Sequence, residues 1–339
     1  MVVSTAPTDL VEIRTQEVRQ SLSCLTPIGS DIDIIRMSLI RNIRVIGDDV
    51  YVRLFHGSDQ GNLLPLVRDQ LAAIPWTNRV VVDPKTITGV KRTLAIGSGK
   101  GGVGKTSVTL ALARTLRSCG YSVGILDADV YGPNISTLLG ADDVSVEISD
   151  GTEGTLFIPL DIDQLKVMSV GMLASQGQSL AWRGPILTRL LKQFMYDVAW
   201  GELDFLLIDL PPGTGDAQIT ILQESPVASV LLVGVPGLSS DADLQRTVAM
   251  YKQFGLPILG FVENFSSMQC PNCGSQLSFL LDQNHQSSYN SEDSDLNLLT
   301  SLPIHPEVLS RHSNASVKTL DQIHQSQFMD LARHCIALI

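Results

Sequence analysis

The chain has 339 residues, of which 44% are hydrophobic and 17% charged; this suffices for a sizeable core and is too little charge for a disordered chain. The formal net charge of −11 disfavours sequence-independent binding to nucleic acid, whose phosphates such a chain repels. No apolar run approaches the roughly 20 residues that cross a bilayer, the N-terminus lacks the basic start and apolar stretch of a secretory signal, and five scattered cysteines do not make a disulfide framework, so a cytoplasmic protein with neither membrane nor nucleic-acid partners is expected.

Residues 1–84 read as a small α/β domain. A helical pattern covers Val11–Leu25, and two apolar alternations, Ile40–Ile46 and Val50–Phe55, flank the turn Gly47-Asp48-Asp49. That arrangement signals a β-hairpin. A helix from about Leu64 to Ala73, with Pro65 in its first turn, and a strand at Arg79–Val82 complete an α-β-β-α-β order. Residues 85–92, within DPKTITGVKR, read as a linker.

Residues 93–339 read as a second, larger domain. Strand TLAIG enters a glycine-rich loop and then a helix with apolar Val108, Leu112 and Leu116, ended by Gly120. The strands SVGILDAD, FLLID (Phe205–Asp209), SVLLVGV (Ser229–Val235) and ILGFVEN (Ile258–Asn264) are near-continuous apolar runs. Such runs suit a mostly parallel sheet covered by helices on both faces. The polar stretch Asp282–Asn297 reads as a mobile loop, and the C-terminal DQIHQSQFMDLARHCIALI as an amphipathic, scarcely basic helix that packs on the sheet.

Gly99-Lys100-Gly101-Gly102-Val103-Gly104-Lys105-Thr106 fits GxxxxGK followed by Thr, between a predicted strand and a predicted helix. Glycines let the backbone curl so that its N–H groups face phosphate oxygens, and the helix N-terminus adds favourable partial charge. The segment Gly99–Ser107, with Ser107 at its end, is therefore expected to bind ATP. Lys105 should reach the β- and γ-phosphates and Thr106 should place its hydroxyl on Mg2+. Asp209, ending an apolar strand, can hold the Mg2+ shell, and PPGTGD after it can sense a γ-phosphate through a backbone N–H. Asp127 and Asp129 end another strand, where one orients the attacking water and the other the hydrated metal. Turn formation or helix capping is the structural alternative for each.

Cys270 and Cys273 stand in MQCPNCG. Two thiolates at this spacing grip one metal or one edge of a cluster, and four are normally needed. The chain has no second pair, so a complete site needs other ligands or a second subunit, and a symmetric dimer supplies four thiolates. A bridging Zn2+, a redox pair and two unrelated structural cysteines are the alternatives. Cys24, Cys119 and Cys335 read as packing residues.

Taken together, GKGGVGKTS, DADVYGPN, WRGP, DLPPGTGD, VENFS and CPNC resemble the Mrp/ApbC-type iron–sulfur cluster carrier ATPases. That family belongs to the P-loop ATPases with a deviant Walker A motif, alongside MinD, ParA and the nitrogenase iron protein. The residues before Thr93 are similar to the small α/β domain that often precedes its ATPase. The resemblance implies ATP hydrolysis, with Lys105 and Asp129 catalytic. It implies a homodimer in which Lys100 reaches the partner's nucleotide, and contact between Asn264 and the adenine. It also implies a [4Fe–4S] cluster bridged by Cys270 and Cys273 of two copies and passed to apo iron–sulfur client proteins. A MinD- or ParA-like positioning ATPase and a zinc-bridged regulatory ATPase are the rival functions. The chain departs from the family after CPNCG, where SQLSFLLDQNHQ replaces a glycine-rich Phe-Gly segment. It departs again at VPGLSSDADLQ, where Thr-Pro-Gln is usual, and at TPIGSD in the first domain.

Overall fold

A computed structural model describes residues 7–130, 132–141, 144, 146–151, 154–173, 184–270, 272–278, 296–304 and 323–338. The chain divides into two compact units, Met1–Ile87 and Thr88–Ile339.

The first unit contains α1 (Pro7–Leu22), β1 (Ile40–Ile46), β2 (Asp49–Phe55), α2 (Leu63–Ala72) and β3 (Arg79–Lys85). β1 and β2 pair antiparallel across a turn in which Gly47 takes a φ of 60°, and β3 joins β2 in parallel. Along β2 the alternate residues Val50, Val52 and Leu54 point to one face. There they meet Val18 and Leu22 of α1 and Leu63, Val67 and Leu71 of α2 in one core. The spacing of four along α2 is what puts its three residues on one helix face. The α-β-β-α-β order is the one expected. The stretch 85–92 that reads as a linker is strand at both ends, since β3 runs to Lys85 and the next strand starts at Val90, which leaves only Thr86–Gly89 between them. Pro84 is accommodated because β3 is an edge strand.

The second unit begins with β4 (Val90–Gly97), α3 (Lys105–Ser118), β5 (Val123–Asp127) and α4 (Ile135–Leu138). β6 (Glu147–Gly151), β7 (Gly154–Ile158), β8 (Leu160–Ile162), β9 (Leu165–Ser169), α5 (Gly184–Tyr196), β10 (Leu203–Asp209) and α6 (Asp216–Glu224) follow. It closes with β11 (Val227–Gly234), α7 (Leu238–Gln253), β12 (Ile258–Gln269), β13 (Gln276–Ser278), β14 (Leu298–Ile304) and α8 (Gln325–Ile336). β6 and β7 form a separate hairpin.

Nine strands make one sheet, ordered β13-β12-β11-β4-β10-β5-β9-β8, with β14 also on β12. All pairs are parallel except β8 with β9 and β12 with β13. Every residue of β5 is buried, as is all of β4, β10 and β11 apart from Lys91, Asp204 and Ala228, as their unbroken apolar sequences require. This order sets the C-terminal ends of β4, β5 and β10 side by side, where α/β sheets bind ligands.

α3 is largely buried, from Lys105 and Val108–Ala113 to Thr115 and Leu116. It lies on the sheet by one face and is covered by Phe328, Leu331, Ala332 and Cys335 of α8 on another. The C-terminal helix thus packs on α3 and the edge strand β14. Gly120, with a φ of 93°, ends α3 as expected. Most of the polar stretch Asp282–Asn297 lies outside the described residues; its last residue gives its carbonyl to the Phe261 N–H at 2.8 Å. Among the described residues no helix is long and apolar enough to cross a membrane.

Candidate functional site

The loop Ser98–Gly104 joins β4 to α3. Gly102 and Gly104 have φ of 77° and 83°, a region that favours glycine. Two glycines are also required by close approach. A Cβ on Gly104 would stand 2.3 Å from Asn264 Nδ2, and one on Gly99 2.7 Å from the backbone of Asp243. Asn264, at the middle of β12, is buried and donates from Nδ2 to the Val103 carbonyl at 2.9 Å. It therefore ties the loop to the sheet. Gly101 and Gly102 are exposed at the loop's mouth.

Lys105 and Thr106 open α3, with Ser107 next, and their side chains converge on Asp209 at the end of β10. Lys105 Nζ is buried 2.7 Å from Asp209 Oδ1 and 3.9 Å from Asp129 Oδ2. The Asp209 oxygen is near but off the hydrogen-bond direction and the Asp129 oxygen is too far, so the ammonium has charge partners but no aligned acceptor. Thr106 Oγ1 donates to Asp209 Oδ2 at 2.7 Å, and Thr109 Oγ1 lies 3.0 Å from Oδ1. Thr109 was not legible as a site residue, although it stands one helical turn beyond Lys105 on the same face.

The strand pairing Asp209↔Asp127 brings a second carboxylate alongside. Asp127 accepts hydrogen bonds from the Asp129 N–H (3.1 Å), the Ile135 N–H (3.2 Å) and the Ser169 hydroxyl (2.9 Å). Burial, and then the charge of Asp209, push its carboxyl up to about 7, against the pull of these hydrogen bonds and of Lys105. Its oxygens hold the turn after β5, the start of α4 and the end of β9, which is the turn-forming and capping role. Asp129 faces Lys105 and accepts the Gly132 N–H at 3.2 Å. Lys100 is half-buried, and among the described residues no carboxylate pairs with it. In the loop after β10, the Gly213 N–H donates to the Ser98 carbonyl at 3.0 Å.

The cysteines lie beyond this cluster. β12 and β13 form a hairpin closed by the pair Gln269↔Gln276. In its tip the Cys270 N–H donates to Ser275 O at 2.8 Å and the Gly274 N–H to Cys270 O at 2.9 Å. Cys270 is half-buried and Cys273 exposed, and both are free thiols. The Ser275 hydroxyl, 3.0 Å from Cys273 Sγ, is the first of several hydrogen bonds that hold this thiol below its ordinary value. Among the described residues no three metal-ligating side chains cluster, so the cysteine pair stands as two ligands. Cys335 is buried, with its thiol pushed up to about 12 by burial, and Cys119 is half-buried beside Met329. Cys24 does not pack: it is exposed, and its thiol donates to Ser21 O at 3.0 Å. Tyr131, Trp182, Arg183 and Pro271, all within the quoted motifs, lie outside the described residues.

Comparison with known proteins agrees with this geometry. Residues 89–336 match the model of the NUBPL iron-transfer P-loop NTPases of the ParA group. The iron–sulfur cluster carrier protein of Aquifex aeolicus is 39% identical over 236 residues, which are 69% of this chain and 64% of that one. The protein of the same name from Synechocystis is 43% identical over 184 residues, 54% of this chain and 52% of that one. The chain thus spans between about half and two thirds of the length of these relatives. Among solved structures, a nucleotide-binding protein from Archaeoglobus fulgidus in complex with ADP superposes with a TM-score of 0.54 at 31% identity, covering 71% of this chain and 88% of that one. The loop, the acidic strand ends and the extent of the match lead to one conclusion: the chain belongs to the NUBPL iron-transfer P-loop NTPase family.

Proposed function

We propose that the chain binds and hydrolyses ATP as a homodimer and carries an iron–sulfur cluster that it passes to apo-proteins. The observation that carries the nucleotide part is Lys105. A buried ammonium without an aligned acceptor, at a loop open on its Gly101–Gly102 side, fits phosphate oxygens. In this reading the N–H groups of Gly99–Ser107 cradle the phosphates, and Lys105 leaves Asp209 for the β- and γ-phosphates. Thr106 and Asp209, already 2.7 Å apart, would hold Mg2+, which when bound offsets the phosphate charge. Asp129 orients water for attack. Asn264 has its Nδ2 committed to Val103, which leaves Oδ1 to accept from an adenine amino group. Lys100 acts across the dimer on the partner's nucleotide, where a cation stabilises charge that develops on transfer.

The cluster is cargo. Cys270 and Cys273 supply two thiolates, the thiol of Cys273 is predisposed to ionise, and two copies complete four ligands. Zn2+ is the second reading, because an exposed thiolate pair serves it equally. A positioning role is less well supported, since α8 buries its apolar face against α3 rather than offering it to a membrane. Anaerobic reconstitution with iron and sulfide, followed by metal and sulfide analysis and a mass measurement, tests the proposal. A dimer with a visible charge-transfer band and iron matching sulfide is expected. A monomer, or a protein that takes up only zinc, refutes the cluster assignment.

A further inference from the structure

The loop after β10 is docked in a way that blocks its expected task. Its Gly213 N–H, the type of amide that senses a γ-phosphate, is occupied by the Ser98 carbonyl at 3.0 Å. α6 starts directly after this loop, and Gln218 in its first turn is fully buried. Gln218 Nε2 donates to the Tyr251 hydroxyl of α7 at 2.5 Å, and Tyr251 too has no exposed surface. The phenol sits on the root of the phosphate loop: a Cβ on Gly97 would lie 2.1 Å from its hydroxyl. One polar contact therefore joins α7 to the first turn of α6, and the phenol that makes it packs against the strand end that leads into Ser98. It is incompletely satisfied, because Gln218 Oε1 is buried without a partner. Turning the amide over would leave its amino group bare instead.

We infer that Gln218 and Tyr251 are positioning residues that hold the loop Pro211–Gly215 docked on Ser98, and so set the preference of the site for a nucleoside triphosphate over a diphosphate. This rests on the nucleotide reading above. A γ-phosphate can recruit the Gly213 N–H only if that amide leaves Ser98, which displaces the first turn of α6 and draws Gln218 away from Tyr251. A diphosphate has no group at that position and makes no such demand. A ligand that binds only the undocked state has its dissociation constant raised by the inverse of the undocked fraction. A neutral hydrogen bond of this kind biases such an equilibrium by about three- to tenfold.

Tyr251→Phe keeps the ring and removes the hydroxyl. Mg-AMPPNP should bind about three- to tenfold tighter to it than to the wild type, with Mg-ADP affinity unchanged, both read by titration calorimetry. The double variant Tyr251→Phe/Gln218→Met removes both polar ends and leaves no bare group, which protects the fold. It should show the same gain rather than a larger one, because the two residues act as a unit. A defect that was only structural would weaken both nucleotides together. An unchanged or lower AMPPNP-to-ADP ratio in either folded variant overturns the inference, whereas a wild-type chain that binds neither nucleotide overturns the nucleotide reading beneath it.

Discussion

Replacing Thr109 by valine tests whether Asp209 is held by its neighbours as the structure implies. Valine conserves the β-branched shape and removes only the hydroxyl. That hydroxyl is fully buried and lies 3.0 Å from both Asp209 Oδ1 and the Lys105 carbonyl. The carboxylate would keep the Thr106 hydroxyl on its other oxygen and the nearby charge of Lys105, so it is left weakened rather than bare. Hydrogen bonds to charged groups contribute about 1.5–3 kcal/mol, which sets the expected loss of folding stability. For a unit of this size each kcal/mol lowers the melting temperature by about 2–4 °C, so a fall of about 3–12 °C should follow. Urea unfolding in Mg2+-free buffer gives the free energy directly. If Asp209 also holds Mg2+, the Mg2+ concentration for half-maximal ATP hydrolysis should rise as well, and Thr109→Ser should restore both quantities. A valine variant within about 0.5 kcal/mol of wild type, the scatter expected for an uninvolved site, would refute the idea that Thr109 supports this carboxylate.

Other outcomes follow from the same site. Asp127, with its carboxyl raised to about 7, keeps a proton in the folded chain that the unfolded chain has lost between about pH 4 and 7. Stability in nucleotide-free, Mg2+-free buffer should therefore fall as pH rises through that window. Asp127→Asn should flatten the slope in urea midpoints at pH 5 and pH 8, and an identical slope would count against the assignment. Lys105→Ala should abolish ATP hydrolysis, read by phosphate release, while retained turnover would remove Lys105 from the chemistry. Cys270→Ala should lose reconstituted iron and sulfide but keep ATP hydrolysis, and equal loss of both would undo the division between the two sites. Gly104→Ala should destabilise the fold and weaken nucleotide binding together. Its methyl meets Asn264 Nδ2 and its φ of 83° is strained for alanine, so a neutral result would mean the loop can rearrange.

Some of this was legible in the residues themselves. The phosphate loop is a local requirement, since glycine at left-handed positions and a Lys-Thr pair opening a helix are written within one short segment. The buried parallel strands are likewise visible as unbroken apolar runs, and the hairpin of the first unit as alternation around a glycine turn. Helix α8 is legible as an amphipathic helix that packs on the sheet, as it does at β14, but its second support, α3, is not. β9 is not legible in the sequence because its five residues, LKVMS, carry no period that separates a short buried strand from a loop. Pro84 and Gly89 read as breakers, although an edge strand tolerates the first. Three aspartates at strand ends looked equivalent in sequence. Only the order β4-β10-β5-β9 separated them, turning Asp209 and Asp129 toward Lys105 and Asp127 toward backbone N–H groups and Ser169. The same holds for Asn264, which meets Val103 across 161 positions of chain, and for Gln218, Tyr251 and Gly97, which three separate elements bring together. Local backbone geometry is encoded by neighbours in sequence. Which buried polar group finds which partner is decided by strand order, and that exists only once the sheet has formed.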